Sequence, residues 1–125
     1  MIDNTFITFA SNILGDTDSG LSGGEICKYL ADYAVKYKIH IPYSSYPNKD
    51  FPSKRTALEK NLKRFTSEQQ YEIIDELCRL PKFSENEKVQ DLLIKLVNRY
   101  QEFSTETNEL PEIALKTKEW LDDYP

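Results

Sequence analysis

Ser84-Glu85-Asn86-Glu87-Lys88-Val89-Gln90-Asp91-Leu92-Leu93-Ile94-Lys95-Leu96-Val97-Asn98-Arg99-Tyr100-Gln101-Glu102-Phe103 decides the fold class. Val89, Leu92, Leu93, Leu96, Val97, Tyr100 and Phe103 recur three or four positions apart, which places them on one stripe of an α-helix. Ser84 and Glu87 have the S-x-x-E spacing of a capping box, in which each side chain satisfies the other residue's backbone N–H. The longest helix of the chain is therefore expected to start there.

The same grammar extends upstream. Thr66 and Gln69 form a second box, opening a helix whose buried face is Tyr71, Ile74, Leu77 and Cys78 and which Pro81 closes. A shorter helix over about 54–65 starts at Ser53 and buries Leu58, Leu62 and Phe65. Ser22 and Glu25 make a further box, flanked by Leu21 and Ile26 as a hydrophobic staple, with Leu30, Tyr33, Ala34 and Tyr37 continuing the apolar face. Gly23 and Gly24 fall in its first turn, where weak helix propensity costs least. The first helix runs from Asp3 to Leu14 with Phe6, Phe9, Ala10 and Ile13 inward, and Gly15 stands at its C-cap position. Downstream, residues 104–110 read as a loop. Pro111 opens a last helix that carries Leu115, Trp120 and Leu121.

One stretch breaks the pattern. Pro42, Pro47 and Pro52 interrupt residues 39–52, with Tyr43, Tyr46 and Phe51 between them, which excludes a helix or a central strand. A connection of this length is usually packed by its own aromatics or carries function. The expectation is an all-α bundle of about six helices, a single domain over 1–125, with one long irregular loop of proline and aromatic residues. Short connections around Thr66 and Lys82 make successive helices antiparallel or angled neighbours.

Composition agrees with one globular domain. Apolar residues make up 39% and charged residues 30%, and fifteen aromatics (8 Tyr, 6 Phe, 1 Trp) can fill a core. Cys27 and Cys78 sit at apolar helical positions with no C-x-x-C spacing, so two buried free thiols are expected. No apolar run is long enough to span a membrane, and the start, Met1-Ile2-Asp3-Asn4, lacks the plan of a signal peptide. A cytoplasmic location is the expectation. No internal repeat or low-complexity tract is visible.

The net charge of −5 argues against generic binding to nucleic acid or anionic membrane. Its distribution is uneven. Lys54, Arg55, Lys60, Lys63 and Arg64 against Glu59 give residues 53–65 a local charge of +4, whereas seven acids against Lys116 and Lys118 give residues 101–125 a local charge of −5. The basic cluster, with Tyr43, Tyr46 and Phe51 beside it, is the candidate partner-binding surface. The plain alternative is a solvated helix face that pairs with the acidic C-terminal part.

Catalytic signatures are missing. His40 is the only histidine, so a Ser–His or Cys–His nucleophile has no spare base and a His-rich metal site cannot form. Glu68, Glu72, Asp75 and Glu76 read as the polar face of their helix. Asp16-Thr17-Asp18-Ser19-Gly20 matches only the opening of a calcium loop, without its central Gly register or closing Glu. Gly20-Leu21-Ser22-Gly23-Gly24 lacks the Lys-Ser/Thr ending and preceding strand of a phosphate loop, and capping explains the same residues. The turn at Phe65-Thr66 suggests helix-turn-helix, yet the helix that would read DNA carries four acids against Arg79 and would be repelled. Neither a catalytic set nor a cofactor or metal site is expected.

Gly20-Leu21-Ser22-Gly23 with Glu25-Ile26, Pro52-Ser53-Lys54-Arg55-Thr56-Ala57-Leu58, Gln69-Gln70-Tyr71 leading to Glu76-Leu77-Cys78, and Trp120-Leu121 with Tyr124-Pro125 together resemble an uncharacterised helical region at the N-terminus of some bacterial proteins. In the longer ones a W-L-x-x-Y-P-like segment leads into a second helical region. The resemblance spans most of the chain and contains no catalytic signature. It implies a bacterial origin, phage-defence or mobile-element associated, and a regulatory or interaction role. The functional expectation is a non-enzymatic helical interaction domain that binds a protein partner or itself. The alternative is a nucleic-acid or nucleotide-phosphate binder acting through the basic helix 54–64. An enzyme would need a cleft joining His40 or Tyr43 to helical carboxylates.

Overall fold

A computed structural model describes residues 1–104, and these form an all-α fold. Five helices follow in order: α1 (Asn4–Leu14), α2 (Gly23–Tyr37), α3 (Lys54–Leu62), α4 (Ser67–Cys78) and α5 (Glu87–Arg99), with 3₁₀ turns at Pro81–Phe83 and Gln101–Phe103. The sixth expected helix, from Pro111, lies outside the described residues. So does the acidic C-terminal part beyond Ser104.

α1 is the central helix. It packs against α3 and α5 and touches α4, while α4 lies along α5 and α2 covers α3. One apolar cluster runs through all five, from Ile2 and Phe6 through Leu30, Leu58 and Ile74 to Leu93 and Leu96. Each fully buried Leu or Ile contributes roughly 1.5–3 kcal/mol of transfer free energy. Truncating one such as Leu58 to Ala would cost about 2–5 kcal/mol.

The helix starts follow the sequence at two of the three boxes. Ser22 accepts from the Glu25 N–H at 3.1 Å and donates its own N–H to Glu25 Oε1 at 2.8 Å. Thr66 and Gln69 do the same at 3.2 and 3.0 Å. Leu21 and Ile26 are both fully buried, as a staple requires.

The third box does not form. Asn86, not Ser84, caps α5, its Oδ1 accepting from the Val89 N–H at 3.1 Å. Ser84 is taken by the 3₁₀ turn before it, donating its N–H to the Pro81 carbonyl. That turn exists because Phe83 drops into the core, where it is fully buried. The buried Gln90 then holds the corner, with Nε2 donating to the carbonyls of Phe83 at 2.8 Å and Cys78 at 3.3 Å.

Two other boundaries move for tertiary reasons. α3 ends at Leu62 rather than about 65, because Gln70 reaches back and donates to the Leu62 carbonyl at 2.8 Å, while Phe65 turns inward. The buried face of α1 is Phe6, Ile7, Ala10 and Leu14, with Phe9 and Ile13 only half-buried. A helix at the centre of the bundle has neighbours on several sides, so residues off the expected stripe, Ile7 and Leu14, are buried as well. Gly15 does cap α1, but with φ −101° rather than a left-handed angle. Its lack of a side chain serves packing instead. An added Cβ would stand 2.9 Å from the Ser11 carbonyl oxygen and 3.2 Å from Arg55 Cα.

Both thiols are buried and free. Burial pushes the Cys78 thiol well above its ordinary range and the Cys27 thiol in the same direction, so both stay protonated. No described helix is long and apolar enough to cross a membrane.

Candidate functional site

The irregular connection after α2 carries no helix or strand from Ile39 to Ser53. It is nevertheless anchored. Ile41 is buried, and Asn61 on α3, itself fully buried, grips the Tyr43 backbone from both sides. The Tyr43 N–H donates to Asn61 Oδ1 at 2.9 Å, and Asn61 Nδ2 donates to the Tyr43 carbonyl at 2.8 Å. Farther along, Asn48 closes a tight turn by accepting the Asp50 N–H on Oδ1 and the Phe51 N–H on its carbonyl, each at 2.9 Å.

The loop's aromatics stack on one another. Phe51 stands edge-on to Tyr46 at 4.9 Å between ring centroids and to Tyr43 at 6.1 Å. Such edge-to-face pairs are worth about 0.5–1.5 kcal/mol each beyond area burial. Tyr46 is 53% exposed, one of the few large apolar side chains among the described residues that reach solvent. It leans over Gly23, where a Cβ would lie 2.6 Å from the ring, so the capping-box glycine leaves room for Tyr46.

Tyr46, Pro47, Phe51 and Pro52 form one wall of an open groove of about 740 Å³. Gly15, Thr17, Lys54 and Arg55 form the other. Lys54 and Arg55 occupy the first turn of α3, which Ser53 caps by accepting the Thr56 N–H at 3.2 Å. Lys54 Nζ donates to the carbonyls of Asp16 at 2.8 Å and Thr17 at 3.2 Å, and Arg55 pairs with Asp16 Oδ1 at 3.1 Å.

Asp16 organises the opposite loop. Its Oδ2 accepts from the N–H of Ser19 at 3.1 Å, the Ser19 hydroxyl at 3.0 Å and the N–H of Asp18 at 3.2 Å. These donors, with the Arg55 guanidinium after them, hold its carboxyl below the ordinary Asp range. Asp16 therefore acts as a strut between two segments. Among the described residues no cluster of His, Cys, Asp or Glu could hold a metal ion.

The groove thus unites Tyr46, Phe51, Lys54 and Arg55, and Tyr43 backs it through Phe51. The other expected members do not line it. Lys60 lies farther along α3 and Arg64 just past its end, both exposed, their side chains making no hydrogen bond or ion pair to another described residue, and Lys63 pairs with Glu59 at 3.4 Å. His40 is exposed and stands apart. Three contributors escape a sequence reading: Asn61, Gly23 and Asp16. Asn61 gave one signal, a polar residue directly before Leu62 on the buried face of α3.

Of the helical carboxylates, Glu68 and Glu76 are exposed as expected, and the other two are not. Asp75 is buried and Glu72 half-buried on the side of α4 that meets α2 and Phe103. No family model matches the chain, and no curated protein or solved structure shows significant similarity to it.

Proposed function

We propose that the chain is a non-enzymatic helical interaction domain that grips a protein partner, or a second copy, in the groove between its aromatic loop and the start of α3. The observation that carries this reading is the pinned loop: Tyr46 stands 53% exposed on a segment already held by Asn61. A partner meeting a pre-organised aromatic wall spares the ordering cost that a mobile loop would impose. Tyr is among the residues that dominate binding energy at interfaces, and Lys54 and Arg55 at the rim favour an acidic approach. A bacterial, cytoplasmic setting belongs to the same proposal and is supported by the resemblance of the four stretches described above.

Site-specific photo-crosslinking tests it. A photoreactive phenylalanine at position 46 should yield a discrete adduct that the same probe at exposed Lys28, on α2, does not. Light scattering distinguishes a second copy from a different partner. Equal labelling from both positions, or none from position 46, would refute the reading. The second reading, a phosphate-bearing ligand, draws on the exposed Lys60 and Arg64. An oligonucleotide that binds at low salt and is lost steeply at moderate salt would favour it.

A further inference from the structure

A second cleft, of about 560 Å³, runs along α4 and is acidic. Glu68, Glu72, Asp75 and Glu76 line it, together with Tyr37, Tyr71 and Phe103. Two cations already pair with these acids: Lys36 with Glu72 Oε1 at 2.9 Å and Arg79 with Asp75 Oδ2 at 3.1 Å. Tyr33 donates its hydroxyl to Glu76 Oε1 at 3.1 Å. Four carboxylates against two cations leave the cleft at a net −2.

Two oxygens are left over. Asp75 is 5% exposed, yet its Oδ1 meets no donor, and neither does the buried Oε2 of Glu72. A buried carboxylate oxygen without a donor is costly, because its lost hydration has no replacement. Both oxygens belong to residues that line the cleft but are closed to solvent, so a donor seated there meets them only as the two side chains turn toward it. A metal ion is a poor match, since among the described residues no three His, Cys, Asp or Glu side chains converge on one point. An ammonium or guanidinium suits such a site better. It carries several N–H donors, accepts carboxylates set apart from one another, and is drawn to aromatic faces. Lys36 on Glu72 is the internal precedent for that chemistry.

The spacing indicates the source of the cation. Glu68, Glu72 and Glu76 follow at intervals of four residues, a rise of roughly 6 Å each along an α-helix. Alternate side chains of an extended peptide are spaced by roughly 6.5–7 Å. We infer that the α4 cleft is a docking site for an extended basic segment of a partner protein, with lysine or arginine at every second position. This site is separate from the aromatic groove, so failure of either proposal leaves the other standing.

The test is calorimetric titration of the full chain at low ionic strength. The probes are a peptide of alternating lysine and serine, its isomer with the lysines in one block, and spermidine. The alternating peptide should bind more tightly than the block isomer. Its affinity should fall roughly tenfold in Glu68→Gln with Glu72→Gln. It should also weaken with added salt and be unchanged in Glu85→Gln, a control outside the cleft. Asp75→Asn, checked for folding by circular dichroism, should weaken it as well. Because Glu68 is exposed, Glu68→Gln alone remains a valid test if Asp75→Asn does not fold. Three results would each overturn the inference: no binding, equal binding of both peptides unaffected by the cleft variants, or binding of spermidine alone.

Discussion

Asn61→Ala is the most informative perturbation, because one side chain joins the loop to the bundle. The substitution removes two hydrogen bonds, at 2.9 and 2.8 Å, and leaves the Tyr43 N–H and carbonyl without their partner in part-buried surroundings. Each bond is worth about 1 kcal/mol net, and each stranded group costs about 1–3 kcal/mol, with the lower end applying where water can reach it. The expected loss is therefore about 2–4 kcal/mol. Urea denaturation followed by far-ultraviolet circular dichroism measures it. At a slope of about 2 kcal/mol/M, the middle of the range for small domains, the midpoint should fall by roughly 1–2 M. Hydrogen exchange at the Tyr43 amide should quicken, and the near-ultraviolet signal of the Tyr46–Phe51 pair should weaken as the loop loosens. Asn61→Asp adds a check on mechanism. Ionised, the new carboxyl can accept from the Tyr43 N–H but repels its carbonyl; protonated, it can donate to that carbonyl again. Burial raises the folded-state pKa of such a group, so the variant should regain stability, relative to the native chain, as the pH falls toward about 4. A loss below about 0.5 kcal/mol in Asn61→Ala, the range of ordinary surface substitutions, would refute the account of a pinned loop.

Lys38 caps α2 at φ 55° and ψ 48°, a left-handed conformation that costs a side-chain-bearing residue about 1–2 kcal/mol. Lys38→Gly should raise the melting temperature, its gain reduced by the extra freedom of glycine in the unfolded chain. Gly15→Ala should destabilise by about 1–3 kcal/mol, since the added Cβ meets backbone of α1 and α3 rather than a movable side chain. Gln90→Leu should cost about 1–3 kcal/mol, measured by chemical denaturation, because it strands the buried Cys78 carbonyl and removes one of the two bonds to the Phe83 carbonyl. The depressed Asp16 carboxyl contributes stability above the ordinary Asp range and loses it as the pH falls through its lowered pKa. Asp16→Asn should therefore be less stable than the native chain at neutral pH, with the difference closing in urea titrations as the pH falls below the ordinary Asp range.

Much of the helix plan was legible because its signals act within one turn. Ser22 with Glu25, and Thr66 with Gln69, carry their own hydrogen-bond partners three residues away, so no other part of the chain is needed to read them. The stripe from Val89 to Tyr100 is equally local, because helix periodicity alone puts those residues on one face. The prolines at 42, 47 and 52 removed helix and strand from the loop by the same kind of argument. What neighbours decide was not legible. Phe83 is drawn into the core and pulls Ser84 into a turn, which hands the α5 cap to Asn86. Gln70 and Gln90 choose carbonyls on other elements, and Gly15 is small because α3 passes beside it. The basic cluster of the sequence divides in space, Lys54 and Arg55 joining the aromatic loop while Lys60 and Arg64 stand apart. Among the acids of α4, Glu68 and Glu76 keep the solvated place that their spacing implies, whereas Asp75 is buried by the fold. Spacing along the chain determines which residues share a face, whereas burial and electrostatic surroundings depend on what the fold brings to that face from distant positions.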